Sequence, residues 1–576
     1  MGIRGPQNYL FRLNALVWWT IAICAIAIPA YAATITVTNT NDSGLGSLRH
    51  ALAIANDGDA ITIAVTGSIV LTTGELLVNR SIAISGPRAG NLVVDGNASS
   101  RVFHIASDQS VSIAGLTVRN GIATTNDGGG IYNDHAALTL NDCTITDNVA
   151  GYGGGIYNDG SLHGSATLEI NSCTINGNSA THTGGGIYNN GSSNGIASLT
   201  ISSSTLSDNS ARLGGGIYND GFDIGGDAIL TVTNSSFGGN SADFGGCVFN
   251  DGSSLGNASL TFNDATLSGN TAHTAGGSIY NEMVNGFGTQ TLNNSNLSDN
   301  SAGKSGGAIY NDQGESFTIN NCAISGNSAQ KDGGGIYNDG YQGVASLAVN
   351  STTLNRNSAS AGGGIFNDGQ QRGVTRLQIS NSTFSENTAS YGGGLASSGF
   401  DAYYVRVTIG NSTFSSNSAS SAGGGIYNVG QRGQDTVLVT VANTILNNGP
   451  LGSNIFCDSD TILSLGYNLA NDSCGNFLTS PGDQTNTDPM LGPLQDNGGS
   501  TLTHALLPGS PAINAGDPSF TQPTLYDQRG PGFDRVMNGR IDIGSFEVQE
   551  STPGQTPRPI PPRRPRPAAL PRPSAR

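Results

Sequence analysis

Short alternations of apolar and polar residues recur along the chain, each bounded by turn-forming residues. The unit from Ala197 to Asp220 reads ASLTISSSTLSDNSARLGGGIYND and contains three alternating segments, LTIS, TLS and GIYN, separated by Asn, Ser, Asp and Gly. A period of two residues over segments this short predicts β-strands and leaves no room for a helix. Each unit is therefore predicted to form three short strands joined by turns.

The GGGIYND motif, or a close variant, sets the period of the repeat. Such regularity is typical of a solenoid, in which each unit buries its apolar face only by stacking on its neighbours. Like strands of successive units would then pair about 4.8 Å apart, which predicts an all-β, single-stranded parallel β-helix. The apolar residue of the motif recurs every 25 to 31 residues, at Ile131, Ile156, Ile187, Ile217, Val248, Ile279, Ile309, Ile336, Ile365, Leu395 and Ile426.

Stacking also predicts columns of identical side chains, and two columns of asparagine are present. Amides in register can hydrogen-bond along the stack and satisfy polar groups at the turns, so we interpret these residues as structural. The first column is Asn148, Asn178, Asn209, Asn240, Asn270, Asn300, Asn327, Asn357, Asn387, Asn417 and Asn448. The second column is Asn133, Asn158, Asn189, Asn219, Asn250, Asn281, Asn311, Asn338, Asn367 and Asn428.

Two further columns concern the interior. A Tyr or Phe follows the apolar residue of most GGGIYND motifs, and strand alternation places one of the two inward; we expect the Ile to lie inside. Cys143, Cys173 and Cys322 align with Ser, Ala and Thr of other units. We interpret these cysteines as small buried residues, with a Cys143–Cys173 disulfide as the alternative.

An open β-helix exposes its core and its strand edges at both ends, so caps are expected. Near the N-terminus, SLRHALAIANDGD (Ser47 to Asp59) is the one clear helical pattern. Ser47 is the predicted N-cap, and Leu48, Ala51, Leu52 and Ala55 share one face. We expect this helix to plug the first coil.

Composition fits a turn-rich repeat better than several compact cores, because the chain has 84 Gly and only 6% aromatic residues. The formal net charge is -17, with 11% charged residues. Phosphate would repel such a body, so nucleic-acid binding is excluded.

The first 32 residues are predicted to be a secretory signal peptide. Arg4 and Arg12 precede an apolar run, and Ala30-Tyr31-Ala32 forms a small-x-small cleavage site. Cleavage is expected between Ala32 and Ala33. The apolar run is shorter than the roughly 20 residues that a retained membrane helix requires. Export makes disulfides possible, and Cys457 and Cys474 flank a short loop, so we expect these two to be bonded.

Five parts of the chain follow from these patterns. Residues 1–32 are the signal peptide, 33–125 the N-terminal cap with the first coils, and 126–450 the GGGIYN-repeat β-helix. Residues 451–548 are a C-terminal coil and cap. Residues 549–576 hold nine Pro and six Arg, with no acid after Glu550 and no apolar run. This composition predicts a disordered, polyproline-like tail without an anchoring helix.

Three stretches resemble known families. TITVTNTNDSGLGSLRHALAIAN resembles the N-terminal segment of bacterial surface proteins named for a CSLREAI-type motif, although this chain lacks its initial Cys and its Glu. The GGGIYN units resemble repeats of polymorphic outer-membrane proteins and of pectin-lyase-like β-helices. The ordered series SPAINAG, DQRG and DIGSFE resembles a choice-of-anchor C-terminal domain of the Q type. The resemblance implies a right-handed β-helix, presented at the cell surface or released.

Polysaccharide lyases and hydrolases share this fold, so an enzyme is the main alternative. Lyases need a calcium-binding carboxylate cluster with a base, and hydrolases need a pair of carboxylates. No base stands beside a carboxylate cluster in the repeat, and no catalytic residue is assigned. The histidines, among them His50, His104, His135 and His504, show no partner in the sequence and are interpreted as solvated turn residues.

Acids follow the IYN strand in most units. Carboxylates stacked in register repel one another unless they reach water or bind cations. We interpret them as solvated turn acids, with calcium binding as a secondary hypothesis and no other cofactor. They are Asp134, Asp159, Asp220, Asp251, Asp312, Asp339 and Asp368.

The repeat is irregular at Gly392 to Gly399 and in the following GFDAYYVRV, which contains Asp401, Tyr403, Tyr404 and Arg406. An exposed Tyr pair there is either a carbohydrate-stacking platform or neutral drift. Taken together, the sequence favours a secreted or cell-surface, monomeric, non-enzymatic protein that binds glycans, a matrix or cells weakly and at many points. A polysaccharide lyase or hydrolase and a calcium-stabilised scaffold are the alternatives.

Overall fold

The computed structural model describes residues 32–430, 437–458, 462–520 and 525–549. Within them the chain winds into an all-β parallel solenoid of about 14 turns, in which every long sheet consists of like strands from successive coils. This confirms the fold class predicted from the repeat. Residues 1–31 of the predicted signal peptide and residues 550–576 of the predicted tail lie outside the described residues.

Three parallel sheets run along the rod, here named sheets A, B and C in the order in which a coil visits them. Sheet A has 16 strands and the longest pairings. Its strands are Thr34–Val37, Ala60–Ile63, Ala83–Ser85, Ser110–Ala114, Ala137–Asn141, Ser165–Asn171, Ile196–Ser202, Asp227–Thr233, Asn257–Asn263, Gln290–Asn293, Phe317–Asn320, Val344–Asn350, Val374–Ser380, Tyr404–Gly410, Val437–Ala442 and Ile462–Gly466.

Sheet B has 15 strands, most of them three residues long. They are Gly67–Val70, Leu92–Asp95, Thr117–Arg119, Thr144–Thr146, Thr174–Asn176, Thr205–Ser207, Ser236–Gly238, Thr266–Ser268, Asn296–Ser298, Ala323–Ser325, Thr353–Asn355, Thr383–Ser385, Thr413–Ser415, Ile445–Asn447 and Leu469–Ala470.

Sheet C has 14 strands and contains the IYND segments in register, so that Ile pairs with Ile and Asn with Asn. They are Leu76–Val78, Phe103–Ile105, Ile131–Asp134, Ile156–Asp159, Ile187–Asn190, Ile217–Asp220, Val248–Asp251, Ile279–Glu282, Ile309–Asp312, Ile336–Asp339, Ile365–Asp368, Leu395–Gly399, Ile426–Gly430 and Ile455–Cys457.

A fourth strand, which the sequence did not predict, lies between sheets B and C in many coils. It is short, polar and rich in Ser, Ala and Thr, so its alternation is weak in the sequence. These strands are Ile122–Asp127, Val149–Tyr152, Ser179–Thr183, Ser241–Phe244, Thr271–Ala275, Ser301–Ala302, Ser328–Ala329, Thr388–Tyr391 and Ser418–Ala422.

The interior of the rod is apolar and continuous. The Ile of each IYND strand, such as Ile187 and Ile217, is fully buried there with inward residues of sheets A and B. This confirms that Ile points inward. The Tyr beside it points outward, yet Tyr188 and Tyr218 are also buried, because they pack on the Tyr rings of neighbouring coils in a separate cluster.

The glycines before each IYND strand have distinct steric causes. Gly214 has φ +61°, a left-handed conformation that costs Gly little. A Cβ on Gly215 would lie 2.4 Å from the carbonyl oxygen of Gly246 in the next coil. The third position is roomier, since Cys247 and Ser278 occupy it in their own coils.

Gly215→Ala is therefore expected to lower the free energy of unfolding by about 1–3 kcal/mol, the usual cost of overpacking. Gly410→Ala is the matched control, because no atom lies within 4 Å of the Cβ that it would add. Urea unfolding followed by circular dichroism measures both. Equal midpoints for the two variants would contradict the steric account.

The first asparagine column forms a continuous buried ladder from Asn148 to Asn417. Each side-chain oxygen accepts from both the backbone N–H and the Nδ2 of the preceding asparagine, as Asn209 donates to Asn240 at 3.1 and 3.0 Å. Asn448 pairs instead with Asn471, whose Nδ2 donates to it at 2.7 Å. The ladder stabilises the turn between sheet B and sheet C in every coil from Asn148 to Asn417.

The second asparagine column is a ladder from Asn133 to Asn367, with Nδ2 of one residue donating to Oδ1 of the next at 2.7 to 2.8 Å. Ser397 takes the next position, and Asn367 donates to the Thr375 hydroxyl at 2.9 Å. The irregular GGGLASSG segment thus ends this ladder.

The Cys, Ser and Thr column is a third ladder. Its side-chain oxygen or sulfur accepts the backbone N–H of the preceding coil, as Ser204 Oγ accepts from Cys173 at 3.0 Å and Cys173 Sγ from Cys143 at 3.3 Å. The cysteines are buried thiols, as the small-residue interpretation requires, and Cys143 and Cys173 are not joined by a disulfide.

The N-terminal helix spans Leu48–Ile54, and Ser47 caps it by accepting the N–H of His50. Leu48, Ala51 and Leu52 are buried against the first coil, which confirms the predicted plug. Just upstream, the N–H of Ala33 donates to the Asp59 carboxylate at 2.7 Å. The described fold therefore includes Ala33, the residue predicted to follow the cleavage site.

The C-terminal segment lies along the side of the last coils, on the outer face of sheet B. Gln528 donates to Thr353 at 2.8 Å, and His504 contacts the Ser385 hydroxyl at 3.0 Å. Its one hairpin pairs Leu491–Gln495 with Thr503–Leu506. The core at this end of the rod is lined instead by Leu478 and by Cys474 of the 3-10 helix Cys474–Asn476.

Candidate functional site

A row of exposed apolar side chains follows one edge of the rod, in the loops that connect sheet C to sheet A. Between residues 131 and 430, twelve large apolar residues are exposed, and eight of them lie in these loops. Their exposed fraction ranges from 41 to 72%. We call this row the tip ridge: Leu162, Phe222, Ile224, Leu255, Phe287, Tyr341, Phe400 and Tyr403.

The ridge is an ordered structure, because its loops bond to one another from coil to coil. The N–H of Leu162 donates to Ser192 at 3.3 Å, and that of Leu255 donates to Asn285 at 2.8 Å. Leu162 and Leu255 have φ of +53° and +69°. Leucine rarely adopts this left-handed conformation, and the loop contacts hold it there with the side chains in solvent. The tips are therefore pre-positioned for contact.

The ridge carries few charges. Its loops contain only Asp223, Glu315, Arg372 and Asp401 among many Gly, Ser, Asn and Gln residues. Apolar residues rimmed by uncharged polar groups mark binding surfaces in soluble proteins. Five of the eight tips are aromatic, and aromatic rings can stack on the apolar faces of sugars.

Part of the ridge coincides with the irregular segment for which the sequence left a stacking platform and neutral drift open. Tyr403 is 67% exposed and lies beside Phe400. Tyr404, at the start of its strand, is less exposed and is half-buried. Sequence reasoning missed Phe222, Phe287 and Tyr341. The available signal was their shared position between an IYND strand and the next sheet A strand.

Behind the ridge, the Tyr and acid columns of sheet C join adjacent coils. Six Tyr hydroxyls donate to the carboxylate of the next coil, at 2.7 to 3.0 Å for Tyr132, Tyr218, Tyr280 and Tyr337. The bonded pairs are Tyr132 with Asp159, Tyr188 with Asp220, Tyr218 with Asp251, Tyr280 with Asp312, Tyr310 with Asp339 and Tyr337 with Asp368.

Five of the seven acids of this column are buried, and Asp134 and Asp312 are half-buried. The interpretation as solvated turn acids is therefore wrong for most of the column. Asp220 and Asp251 are each only 6% exposed. The other oxygen of Asp251 accepts from the N–H and hydroxyl of Ser253. Protein donors thus occupy both oxygens of Asp251. The column supplies one carboxylate per coil, fewer than the roughly six to eight oxygen ligands that calcium takes, which does not favour calcium binding along it.

Burial shifts the titration of these groups. Loss of solvation, reinforced by neighbouring carboxylates, raises the pKa of Asp220, Glu282 and Asp312 to about 7. Burial likewise raises the pKa of Asp368 to about 6. Burial and the nearby carboxylates also raise the pKa of Tyr188 and Tyr218, which keeps these hydroxyls protonated as donors.

At the N-terminal end of the ridge, acids and histidines alternate across three coils. His104 Nδ1 lies 3.2 Å from Glu75, and its Nε2 lies 3.6 Å from Asp134. His135 Nδ1 lies 2.6 Å from Asp134, and its Nε2 lies 3.0 Å from the Ser161 carbonyl oxygen. Burial opposes protonation of His135, but Asp134 and the Ser161 carbonyl outweigh it, and its pKa is raised.

This cluster corrects the expectation that no base stands beside the carboxylates and that the histidines lack partners. His504 is also buried, between Ser385 and the Gly492 carbonyl. The sequence contained one weak indication of this cluster, in the segment around His104. VFHIA lies one period upstream of GIYND, and extending the repeat by that unit places His104 in the Tyr column.

The disulfide between Cys457 and Cys474, which would form on export, stays a prediction. Cys474 is buried, and loss of solvation together with the adjacent Asp472 carboxylate raises its pKa. A thiol held in its protonated form reacts slowly in disulfide exchange. A thiol count on protein produced in an oxidising compartment tests the pairing.

None of the helices in the described part of the chain has the length and apolar character needed to cross a bilayer. The profile of the Chlamydia polymorphic membrane protein repeat matches five stretches, residues 142–159, 172–190, 294–312, 321–339 and 411–429. Each stretch runs from the turn after a sheet A strand to the IYN segment of the same coil.

A search of the curated proteins found no match. Among solved structures, the chain is similar to a crystal structure of the pectate lyase Pel9A. The likeness covers 90% of this chain and 96% of the other, at 14% sequence identity and a TM-score of 0.26. We infer no function from that likeness.

Proposed function

We propose that this protein is an exported, surface-exposed β-helix whose tip ridge binds an extended, weakly charged polysaccharide at many points. The ridge is the observation that carries the proposal. Its tips recur over nine coils, and at about 4.8 Å per coil they extend for roughly 40 Å. Each contact is expected to be weak, and repetition along one chain of sugars supplies the affinity.

The chemistry of the ridge favours a neutral glycan over a charged polymer. A polyanion would need cationic side chains, and Arg372 is the one Lys or Arg in the ridge loops. A polycation would bind through many exposed carboxylates, and the ridge loops offer only Asp223, Glu315 and Asp401 along their whole length. Aromatic tips on a pre-positioned backbone lose little conformational entropy on binding a glycan.

The surface location rests on the repeat. Five stretches match the repeat of a membrane protein family, and the first 32 residues have the pattern of a signal peptide. Fractionation of cells producing the full chain tests the location. We expect the protein in the medium or in the cell-surface fraction, and accumulation in the cytoplasm would contradict the proposal.

Removing four of the five aromatic tips is expected to weaken polysaccharide binding strongly. The test is co-sedimentation of the full protein with cellulose and with chitin, comparing wild type with the variant F222A/F287A/F400A/Y403A. We expect at least a tenfold loss, because four of the repeated contacts disappear together. The exposed tips make no core contacts, so the thermal midpoint is expected to stay unchanged.

The matched control is Y152A/Y391A. These two rings are 40 and 41% exposed but lie on the fourth strand, away from the ridge. The control variant is expected to bind like wild type. Equal losses in both variants, or no loss in either, would contradict a binding role for the ridge.

The same samples distinguish binding from catalysis. A lyase would release unsaturated sugar ends, and a hydrolase would release reducing ends. We expect neither product, since the ridge loops place no paired acid and base beside the aromatic tips. Release of either product by wild type would support the enzyme alternative over the adhesive function.

A further inference from the structure

Three side chains at the N-terminal end of the ridge are arranged to share one ion. One ligand atom from each of Asp134, His135 and Asp159 lies within 4.8 Å of the other two. Asp134 and Asp159 are paired neighbours on adjacent sheet C strands, and His135 follows Asp134 directly. The β-helix register therefore holds the three groups together without help from a flexible loop.

His135 makes the kind of hydrogen bond that orients a histidine for metal binding. Its Nε2 lies 3.0 Å from the Ser161 carbonyl oxygen, which can only accept, so Nε2 carries a hydrogen. A histidine that binds a metal through one nitrogen commonly donates its other N–H to a carbonyl or carboxylate. The remaining nitrogen, Nδ1, faces the carboxylates.

The contact of Nδ1 with Asp134 requires a positive centre. The two atoms are 2.6 Å apart, a hydrogen-bond distance, and since Nε2 already carries a hydrogen, a lone pair on Nδ1 would repel the carboxylate oxygen. A second imidazole proton meets this need in the protein alone. A metal ion replaces that proton and gains two carboxylates and one imidazole as ligands.

A fourth group lies close by. His104 Nε2 is buried without a hydrogen-bond partner and sits 3.6 Å from the second oxygen of Asp134. Its Nδ1 is held by Glu75 at 3.2 Å, which orients the ring toward Asp134. Tyr132, Tyr157 and Tyr188 fill the position of His104 in the next three coils, so the histidine is specific to this end of the rod.

We propose that Asp134, His135 and Asp159 form a binding site for one first-row transition-metal ion such as Zn²⁺, with His104 completing or orienting its ligands. Calcium and magnesium take oxygen ligands, whereas zinc takes imidazole together with carboxylates. The ion joins two adjacent coils and the first ridge loop, because Asp159 also holds Ser161 through its N–H and hydroxyl. It is a structural clamp at the start of the ridge.

Titration of the full protein with Co²⁺ tests the site. We expect visible d–d absorption that saturates at one equivalent per chain, is displaced by Zn²⁺, and is accompanied by a higher thermal midpoint. X-ray absorption of the zinc-loaded wild type should show nitrogen among the ligands. That measurement does not depend on whether any variant folds.

Two variants remove ligands and two serve as controls. His135→Gln and Asp159→Asn are each expected to weaken binding by about tenfold or more. Asp251→Asn removes the equivalent acid from a coil without histidine, and His182→Gln removes an exposed histidine elsewhere; both should bind like wild type. No saturable Co²⁺ or Zn²⁺ binding, equal affinity in His135→Gln, or saturation by Ca²⁺ alone would overturn the proposal.

Discussion

Asn240→Ala is expected to lower the free energy of unfolding by roughly 3–6 kcal/mol. The side chain lies inside the first asparagine ladder and is fully buried. Its oxygen accepts the N–H and the Nδ2 of Asn209, and its Nδ2 donates to the Leu206 carbonyl at 3.1 Å. The substitution also removes the bond from Nδ2 to Asn270 at 3.0 Å. It leaves the N–H of Asn209 buried without a partner, at a cost of about 1–3 kcal/mol, and removes three further hydrogen bonds worth about 0.5–1.5 kcal/mol each. Urea unfolding followed by circular dichroism measures the loss.

Asn91→Ala is the matched control for this prediction. Asn91 is exposed at a turn near the N-terminal end of the rod, and its side chain is outside the ladder. Surface substitutions of this kind usually change stability by less than about 0.5 kcal/mol. If Asn240→Ala unfolded at the same urea concentration as Asn91→Ala, the ladder would contribute nothing measurable to stability.

The repeat could be predicted from the sequence because each of its rules acts within one coil or between two adjacent coils. A period of two residues places Ile217 inside and Tyr218 outside, and register then brings Asn209 over Asn240. Both follow from counting residues. The buried helix cap at Ser47 is equally local, since its hydroxyl accepts the N–H of His50 three residues ahead.

The sequence was misleading where burial depends on groups from elsewhere in the chain. Asp220 follows a strand at a turn, where acids are usually solvated, but Tyr188 of the preceding coil and the loops of the ridge cover it. The side-on position of the C-terminal segment depends on contacts such as Gln528 to Thr353, across 175 residues. No periodic pattern encodes a contact of that kind.

The candidate sites fall between these two cases. Tyr403 could be recognised because the local repeat breaks at GGGLASSG, whereas Phe222 and Phe287 lie in loops of ordinary Gly and Asn composition. The ridge exists only because successive loops stack in space. In the same way, His104 and His135 are 31 residues apart in the sequence, and only the register of sheet C brings both to Asp134.

Stability is expected to fall as the pH rises from about 5 to 8. In the folded protein the pKa of Asp220, Glu282 and Asp312 is about 7, whereas in the unfolded chain these acids titrate near 4. The folded state therefore binds more protons between these values, and the slope of the unfolding free energy with pH is negative. Their stabilising contribution is complete below about pH 4 and is lost as the pH passes through 7.

Neutral amides at the same positions should make the unfolding free energy depend less on pH. The fold already accommodates an amide at this position. Asn190 occupies the acid position in its own coil and donates to the Tyr157 hydroxyl at 2.7 Å. D220N/D312N is therefore expected to fold and to raise the thermal midpoint by several degrees at pH 8, with little change at pH 5. Scanning calorimetry between pH 5 and 8.5 measures the difference, and Asp243→Asn is the control at an exposed carboxylate.

Parallel profiles for wild type and D220N/D312N would show that the buried column does not hold these protons. The difference between the two profiles isolates the column, because acids whose pKa is lowered by hydrogen bonds and ion pairs, such as Asp42 and Glu75, are present in both proteins.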